Sequence, residues 1–180
     1  ALTLTVISKP DVRDWHALPF EDLDYKNSLH SRVKGLKIAF SPDLGFVRVK
    51  KSIAEVVKNA VEIFNTLGAH VEISNPGFSN VRDIFEKLGF PGIFQAIKSF
   101  TAGEKALMDQ GLVAVGEIGK KVTMTEYLAA NKAREELGQL MNKFHERFDL
   151  LVTPTVPIPP FPVNQDVPDP KNQERWTEWA

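Results

Sequence analysis

The sequence predicts an α/β fold: a partial, mixed or parallel sheet with a β-α-β crossover and several helices packed on it. Three observations lead there. Short apolar runs bounded by turn residues stand at 36–40, 69–74 and 149–153. An amphipathic stretch at 52–67 joins the first two runs. Helical periodicity then dominates the region between the second run and the third.

The elements follow in order. Residues 9–29 are irregular, punctuated by Pro10 and Pro19, and their Trp15, Leu18, Phe20 and Tyr25 need an apolar surface; residues 1–34 are expected to form a strap. Leu36-Lys37-Ile38-Ala39-Phe40 follows Gly35 and ends at Ser41-Pro42-Asp43, which marks a strand and its turn. In 52–67, Ile53, Val56, Val57, Ala60, Val61, Phe64 and Leu67 form one apolar stripe. Ser52 with Glu55 is expected to cap this helix, and Gly68 to end it in a left-handed conformation. The strand at 69–74 closes on Asn75-Pro76-Gly77, completing a crossover that is parallel and right-handed by rule.

Beyond it, 81–88 predicts a short helix capped by Asn80, with Gly89 and Pro91 interrupting. Residues 92–108 predict a second helix with a break near Gly103, and 113–121 a shorter one. Thr123 or Thr125 is expected to cap the longest helix, which runs to about Arg147 with Leu137, Leu140, Met141, Phe144 and then Phe148 on its buried side. Asp149-Leu150-Leu151-Val152-Thr153 predicts a buried strand. Five prolines in the next nine residues make an extended arm, and residues 164–180 form a polar tail. The domain plan is therefore a strap at 1–34, an α/β partial domain at 35–163 and a tail at 164–180.

The bulk numbers exclude several function classes. The formal net charge of -1 offers no basic excess for phosphate contacts, so no nucleic-acid partner is expected. No apolar run approaches the roughly 20 residues that span a bilayer, so no membrane partner is expected either. The absence of cysteine excludes a disulfide framework and thiolate chemistry, and it fits a reducing compartment, expected to be the cytoplasm.

The search for chemistry returns little. No glycine pattern suits a phosphate loop, and no GxSxG elbow occurs. His16, His30, His70 and His145 have no partner at metal-ligand spacing, so neither metal nor cofactor is implied. Ser41 reads as a turn residue, weighed against a ligand contact. The carboxylates Asp22, Asp24, Glu135, Glu136, Asp166 and Asp169 sit in polar surroundings, with no sign of an acid–base pair.

Four stretches, in order, resemble the amidase-signature family. Ala1-Leu2-Thr3-Leu4-Thr5-Val6-Ile7 leading to Pro10-Asp11-Val12-Arg13-Asp14 resembles a helix end and its "G-x-D-P-x-D" turn, with Ser8-Lys9 where a glycine often stands. Val33-Lys34-Gly35-Leu36-Lys37-Ile38-Ala39-Phe40 resembles "L-K-G-L-R-I-G". Leu67-Gly68-Ala69-His70-Val71-Glu72 resembles the "L-G-A-x-V" junction. Phe148-Asp149-Leu150-Leu151-Val152-Thr153-Pro154-Thr155 is similar to "Y-D-x-L-x-x-P-T" and is the most specific of the four.

The resemblance implies a fragment of the amidase-signature fold and a serine hydrolase of amides, with a small-molecule amide as substrate of the full-length parent. The family's machinery is a Ser–cis-Ser–Lys triad with a backbone oxyanion hole. Its serines lie in a Gly/Ser-rich segment and its lysine further upstream; this sequence contains neither, so no residue here inherits a catalytic role. The chain is expected to be an internal piece that starts after the nucleophile region and stops as a final motif opens at Trp176, with Trp179 left uncovered. By itself it is expected to be inactive and to self-associate through unpaired strand edges. Thr153, Pro154, Thr155, Phe161 and Trp176 are the expected pocket-lining residues.

Within the family, Glu117-Ile118-Gly119-Lys120-Lys121-Val122 stands where the glutaminase subunit of a tRNA amidotransferase shows "E-V-K-R-R-I". The missing arginines favour a stand-alone amidase over the glutaminase subunit of glutamyl-tRNA(Gln) amidotransferase. A non-catalytic α/β ligand- or protein-binding domain is the reading from outside the enzymes.

Overall fold

The computed structural model describes residues 1–79, 81–163 and 165–178, and it divides the chain into two compact units, residues 1–34 and residues 35–180. Asn80, expected as a helix cap, and Trp179 lie outside the described residues.

The first unit holds a short helix, α1 (Leu2–Ile7), and a 3-10 turn (Asn27–His30). Between them the chain is irregular, and local carboxylates hold it, Asp11 accepting the Arg13 N–H at 2.9 Å. Asp11 accepts both Nε and Nη2 of Arg13 at 2.8 and 2.7 Å, and Asp24 accepts the Lys26 and Asn27 amides at 3.1 and 2.9 Å. None of its residues is buried.

The second unit is built on a three-stranded parallel sheet of order β2-β1-β3, formed by β1 (Lys37–Phe40), β2 (His70–Ile73) and β3 (Leu150–Val152). The central position of β1 explains its composition. Ile38 and Ala39 are completely buried and Phe40 nearly so, because both faces of a central parallel strand are covered. β3, expected to be buried throughout, is an edge strand of three residues, and Leu150 is exposed. Its start is fixed by Asp149, whose backbone N–H donates to the Lys37 carbonyl while its carboxylate accepts the Lys37 N–H, each at 2.8 Å.

The crossover helix α2 (Lys51–Thr66) buries Val61 and packs against β2. Gly68 ends it as the sequence predicts, at φ +86°, where a side chain would strain the backbone. The predicted cap does not form. The helix begins one residue early, with extended Lys50 as N-cap, so Ser52 falls inside it and makes no cap bond. Lys50 is held instead by the proline arm, through its N–H donating to the Pro157 carbonyl at 2.8 Å, and Glu55 pairs with Lys51 at 3.8 Å.

Four helices follow: α3 (Arg82–Ile97), α4 (Ala102–Ala106), α5 (Gln110–Gly119) and α6 (Met124–His145). α3 packs against both α5 and α6. Pro91 and Gly89 were expected to divide α3; the helix instead runs through both. Proline removes one helical hydrogen bond, but here the bend-prone turn is enclosed: Phe90 is completely buried, and Gly119 of α5 lies directly against the Phe90 carbonyl. The close approach requires that glycine, since a Cβ at 119 would meet the Phe90 backbone and stand 2.7 Å from Pro91 N. The expected break near Gly103 falls earlier, because Thr101 starts α4 with a reciprocal capping box to Glu104 and leaves Gly103 inside that helix. Of the two expected caps, Thr123 takes the role and Thr125 lies inside α6; Thr123 bonds reciprocally with Glu126 in the same way. On α6, Leu137, Leu140, Met141 and Phe144 are half-buried, and Phe144 lies 4.9 Å from the buried Phe148 ring.

Candidate functional site

In a parallel sheet all strands end on the same side, and ligands collect beyond those carboxyl ends. β1 and β3 end together here, since Phe40 is in register with Val152 and the next amide, Ser41 N–H, still donates to the Val152 carbonyl at 2.9 Å. What the chain does after each strand shapes the site.

After β1 it makes a tight turn. Ser41 is fully buried; its hydroxyl donates to Asn75 Oδ1 at 2.6 Å and accepts the Leu44 N–H at 2.9 Å. Ser41 is thus a turn residue with its hydroxyl committed to structure, which settles the choice left by the sequence. Leu44 is the only non-glycine residue with positive φ among the described residues, at +55°. A branched aliphatic side chain there costs about 1–2 kcal/mol. Two side-chain acceptors hold it: Ser41 Oγ, which takes the Leu44 N–H, and Asp43 Oδ1, which takes the Gly45 N–H at 2.8 Å.

After β3 the chain enters the arm as Thr153-Pro154-Thr155. These three residues, Leu44, Val81 just before α3, Arg82 and Phe85 of α3, and the turn at Trp176–Thr177 surround an open, mostly apolar cleft of about 350 Å³. Phe85 and Trp176 meet edge to face, with ring centroids 5.3 Å apart and an interplanar angle of 79°. Asp43 and Arg82 supply charge at its lining.

The expected pocket residues divide accordingly. Thr153, Pro154, Thr155 and Trp176 border this one cleft; Phe161 is half-buried and is not part of its lining. The structure thus sends the later part of the arm elsewhere: Pro157 still borders the cleft, tied by its carbonyl to Lys50.

Trp176 is placed by a polar cluster that the sequence does not announce. Glu86 of α3 receives Arg175 Nε and Nη2 at 3.1 Å each and the Thr177 hydroxyl at 2.5 Å. Arg175 also meets Glu178 at 3.3 Å. Burial pushes the Glu86 carboxyl up, but the hydrogen bonds from Arg175 and Thr177, with the charges of Arg175 and Arg82, outweigh it and hold the group below its ordinary range. The partial burial matters, because an ion pair shielded from water is worth more than the same pair on an open surface. The i,i+4 spacing of Arg82 and Glu86 was the one visible hint, and it describes an ordinary helix surface pair.

Chemically, the cleft can hold an apolar group between aromatic and aliphatic walls. Among the described residues, no group of three or more His, Cys, Asp or Glu could hold a metal ion, and no helix is long and apolar enough to cross a membrane. His145 Nδ1 lies 3.0 Å from the Phe148 carbonyl, which ties the end of α6 to the approach to β3.

Comparison with known proteins gives a consistent result. The family model described as Amidase matches residues 1–180. An acylamidase from Rhodococcus erythropolis is 25% identical over 182 residues, covering 100% of this chain and 37% of that protein. A glutamyl-tRNA(Gln) amidotransferase subunit from Staphylococcus haemolyticus (strain JCSC1435) is also 25% identical, covering 94% of this chain and 40% of that protein. Among solved structures, a bacterial aryl acylamidase belonging to the amidase signature enzymes aligns with a TM-score of 0.72 and 26% identity, over 83% of this chain and 32% of that one. The chain thus spans well under half the length of these relatives.

Proposed function

The chain belongs to the amidase, or amidase-signature, family, and from that premise we propose that it forms the scaffold and one wall of the substrate pocket in an enzyme that hydrolyses amide C–N bonds. The chemistry is that of a Ser–cis-Ser–Lys triad contributed by sequence outside these 180 residues, so this chain alone is inactive. The substrate is a small amide, and no metal or cofactor takes part. The protein works in the cytoplasm, a reading supported by the absence of cysteine.

One observation carries the pocket reading: Thr153, Pro154, Thr155 and Trp176, far apart in sequence, line one apolar cleft beyond the carboxyl ends of β1 and β3. Replacing Trp176 with alanine in the full-length parent will change KM or the range of amides accepted. A W176A protein with lowered stability and an unaltered substrate profile would refute the pocket reading. Amide turnover by the 180-residue chain alone, abolished by replacing one of its own serines, would refute the placement of the triad.

The similarity to a tRNA amidotransferase component sustains a second reading within the family. Gly119-Lys120-Lys121 in place of "K-R-R" supports a stand-alone amidase, and the net charge of -1 supports the absence of a nucleic-acid partner. Glutamine-dependent amidation of a charged tRNA by the parent with its partner subunits would decide for the second reading. The isolated chain is proposed to self-associate: both β2 and β3 are sheet edges, and Ile73 on β2 is 74% exposed. Light scattering that reports a monomer at high concentration would overturn this.

A further inference from the structure

A second cavity, of about 400 Å³, lies along α5; Leu112, Val115 and Ile118 of that helix and Ile93 of α3 give it an aliphatic side, and the charged Asp109, Asp166, Glu174 and Arg175 also line it. Among the described residues, its lining and that of the first cleft share one residue, Trp176. The neighbours of Trp176 divide between the two spaces: Thr177 borders the first, and Arg175 borders the second. Both neighbours are bound by the same carboxylate, Glu86, through three hydrogen bonds. The indole is therefore fixed on each side by a clamped residue, while its ring is steadied against Phe85.

We propose that Trp176 is a partition between the apolar cleft and the aliphatic side of the second cavity, that it limits the length of the apolar substituent the amide substrate can carry, and that Glu86 is the positioning residue that holds the partition shut. This rests on the pocket reading above. A substituent entering the first cleft gains affinity with each buried methylene until it meets the indole. Beyond that length it must stay in water or displace the ring. Removing the indole joins the cleft to the space along α5, whose aliphatic side chains offer the same kind of surface to a longer chain. The separate anchoring of Arg175 and Thr177 explains why a ring that is 43% exposed can act as a wall instead of swinging aside.

The test uses the full-length parent and a series of acyl 4-nitroanilides from acetyl to decanoyl. In the wild type, kcat/KM rises by about fourfold per methylene and then breaks at a definite length. W176A moves that break to chains longer by several methylenes, and W176F moves it less. E86Q, which keeps the shape of the side chain but weakens the grip on Arg175, blurs the break without moving it as far as W176A. An identical break position in the wild type and W176A would overturn the partition. A break shifted in W176A but unchanged in E86Q would overturn the role of Glu86. Binding of the matching 2-alkanones, which cannot be hydrolysed, is measured in parallel by calorimetry. If no anilide is turned over, the amidase reading fails, and the length dependence of 2-alkanone binding still decides on the partition.

Discussion

Two glycine-to-alanine changes should move stability in opposite directions, and the contrast tests the helix packing beneath the cleft. Gly119 sits where α5 crosses α3, and a Cβ there would fall on the Phe90 carbonyl and stand 2.7 Å from Pro91 N. Those are backbone atoms inside a helix, so no side-chain rotation relieves the clash, and the helices must separate. Overpacking of that kind costs about 3 kcal/mol, the upper part of its usual range. Gly119 is the last residue of α5, so alanine returns less than the interior helix propensity of about 1 kcal/mol, leaving a net loss of about 2–3 kcal/mol. Gly138, on the exposed side of α6, has nothing within 4 Å of its would-be Cβ. There the propensity term acts alone, and G138A gains about 0.5–1 kcal/mol. Gly116 falls between, because its Cβ would meet Ile97 Cδ1 at 2.5 Å, the end of a side chain that can turn. Urea titrations of the three variants, compared by midpoint, should rank G138A above wild type and place G119A lowest. A G119A protein as stable as G138A would refute the crossing geometry. Since α3 also carries Phe85 and Glu86, a large loss in G119A should be accompanied by a disturbed cleft.

Three further outcomes follow from the cleft itself. S41A leaves Asn75 Oδ1 and the Leu44 N–H without their buried partner and should cost about 1–3 kcal/mol by the same urea midpoint, with the Leu44 turn exchanging its amides faster. L44G relieves the left-handed strain and should hold or raise stability by up to about 1 kcal/mol; in the full-length parent it should raise KM by removing part of the cleft wall, and a falling midpoint would contradict the strain argument. The Glu86 carboxyl is depressed in the folded state, so its stabilisation is fully present above its ordinary value of 4.5 and is lost as pH falls through the lower folded value. An acid titration of tryptophan emission should therefore show a release of the Trp176 turn in that range, absent in E86Q, while persistence of the step in E86Q would assign it elsewhere.

What the sequence discloses and what it hides differ by the range of the interaction. The crossover is legible because a helix stripe, a stop glycine and an apolar strand are local signals, and Gly68 at φ +86° is a direct reading of one of them. The start of α6 is legible for the same reason, narrowed in the sequence to Thr123 or Thr125 and fixed at Thr123 in the structure. Ser52 and Pro91 mislead because a partner distant in sequence wins: the Pro157 carbonyl takes over the start of α2, and the α5 crossing encloses the turn that Pro91 would break. Gly119 looks like a mere departure from the "E-V-K-R-R-I" run until the structure shows that its missing side chain admits the Phe90 carbonyl.

The site follows the same division, and this bears on how its specificity is encoded. Thr153-Pro154-Thr155 is found through a family resemblance, because a strand end followed by prolines is a contiguous feature. Glu86 could not be found that way: it lies 89 residues before Arg175 and 91 before Thr177, and its own neighbourhood reads as an ordinary helix surface. Yet three of its hydrogen bonds fix the residues on either side of Trp176, the one described residue that borders both cavities. On the pocket reading proposed above, a change at Glu86 should therefore alter the range of amides accepted by the full-length parent without touching any residue that the family motifs mark, so that relatives identical in those motifs can still differ in what they accept.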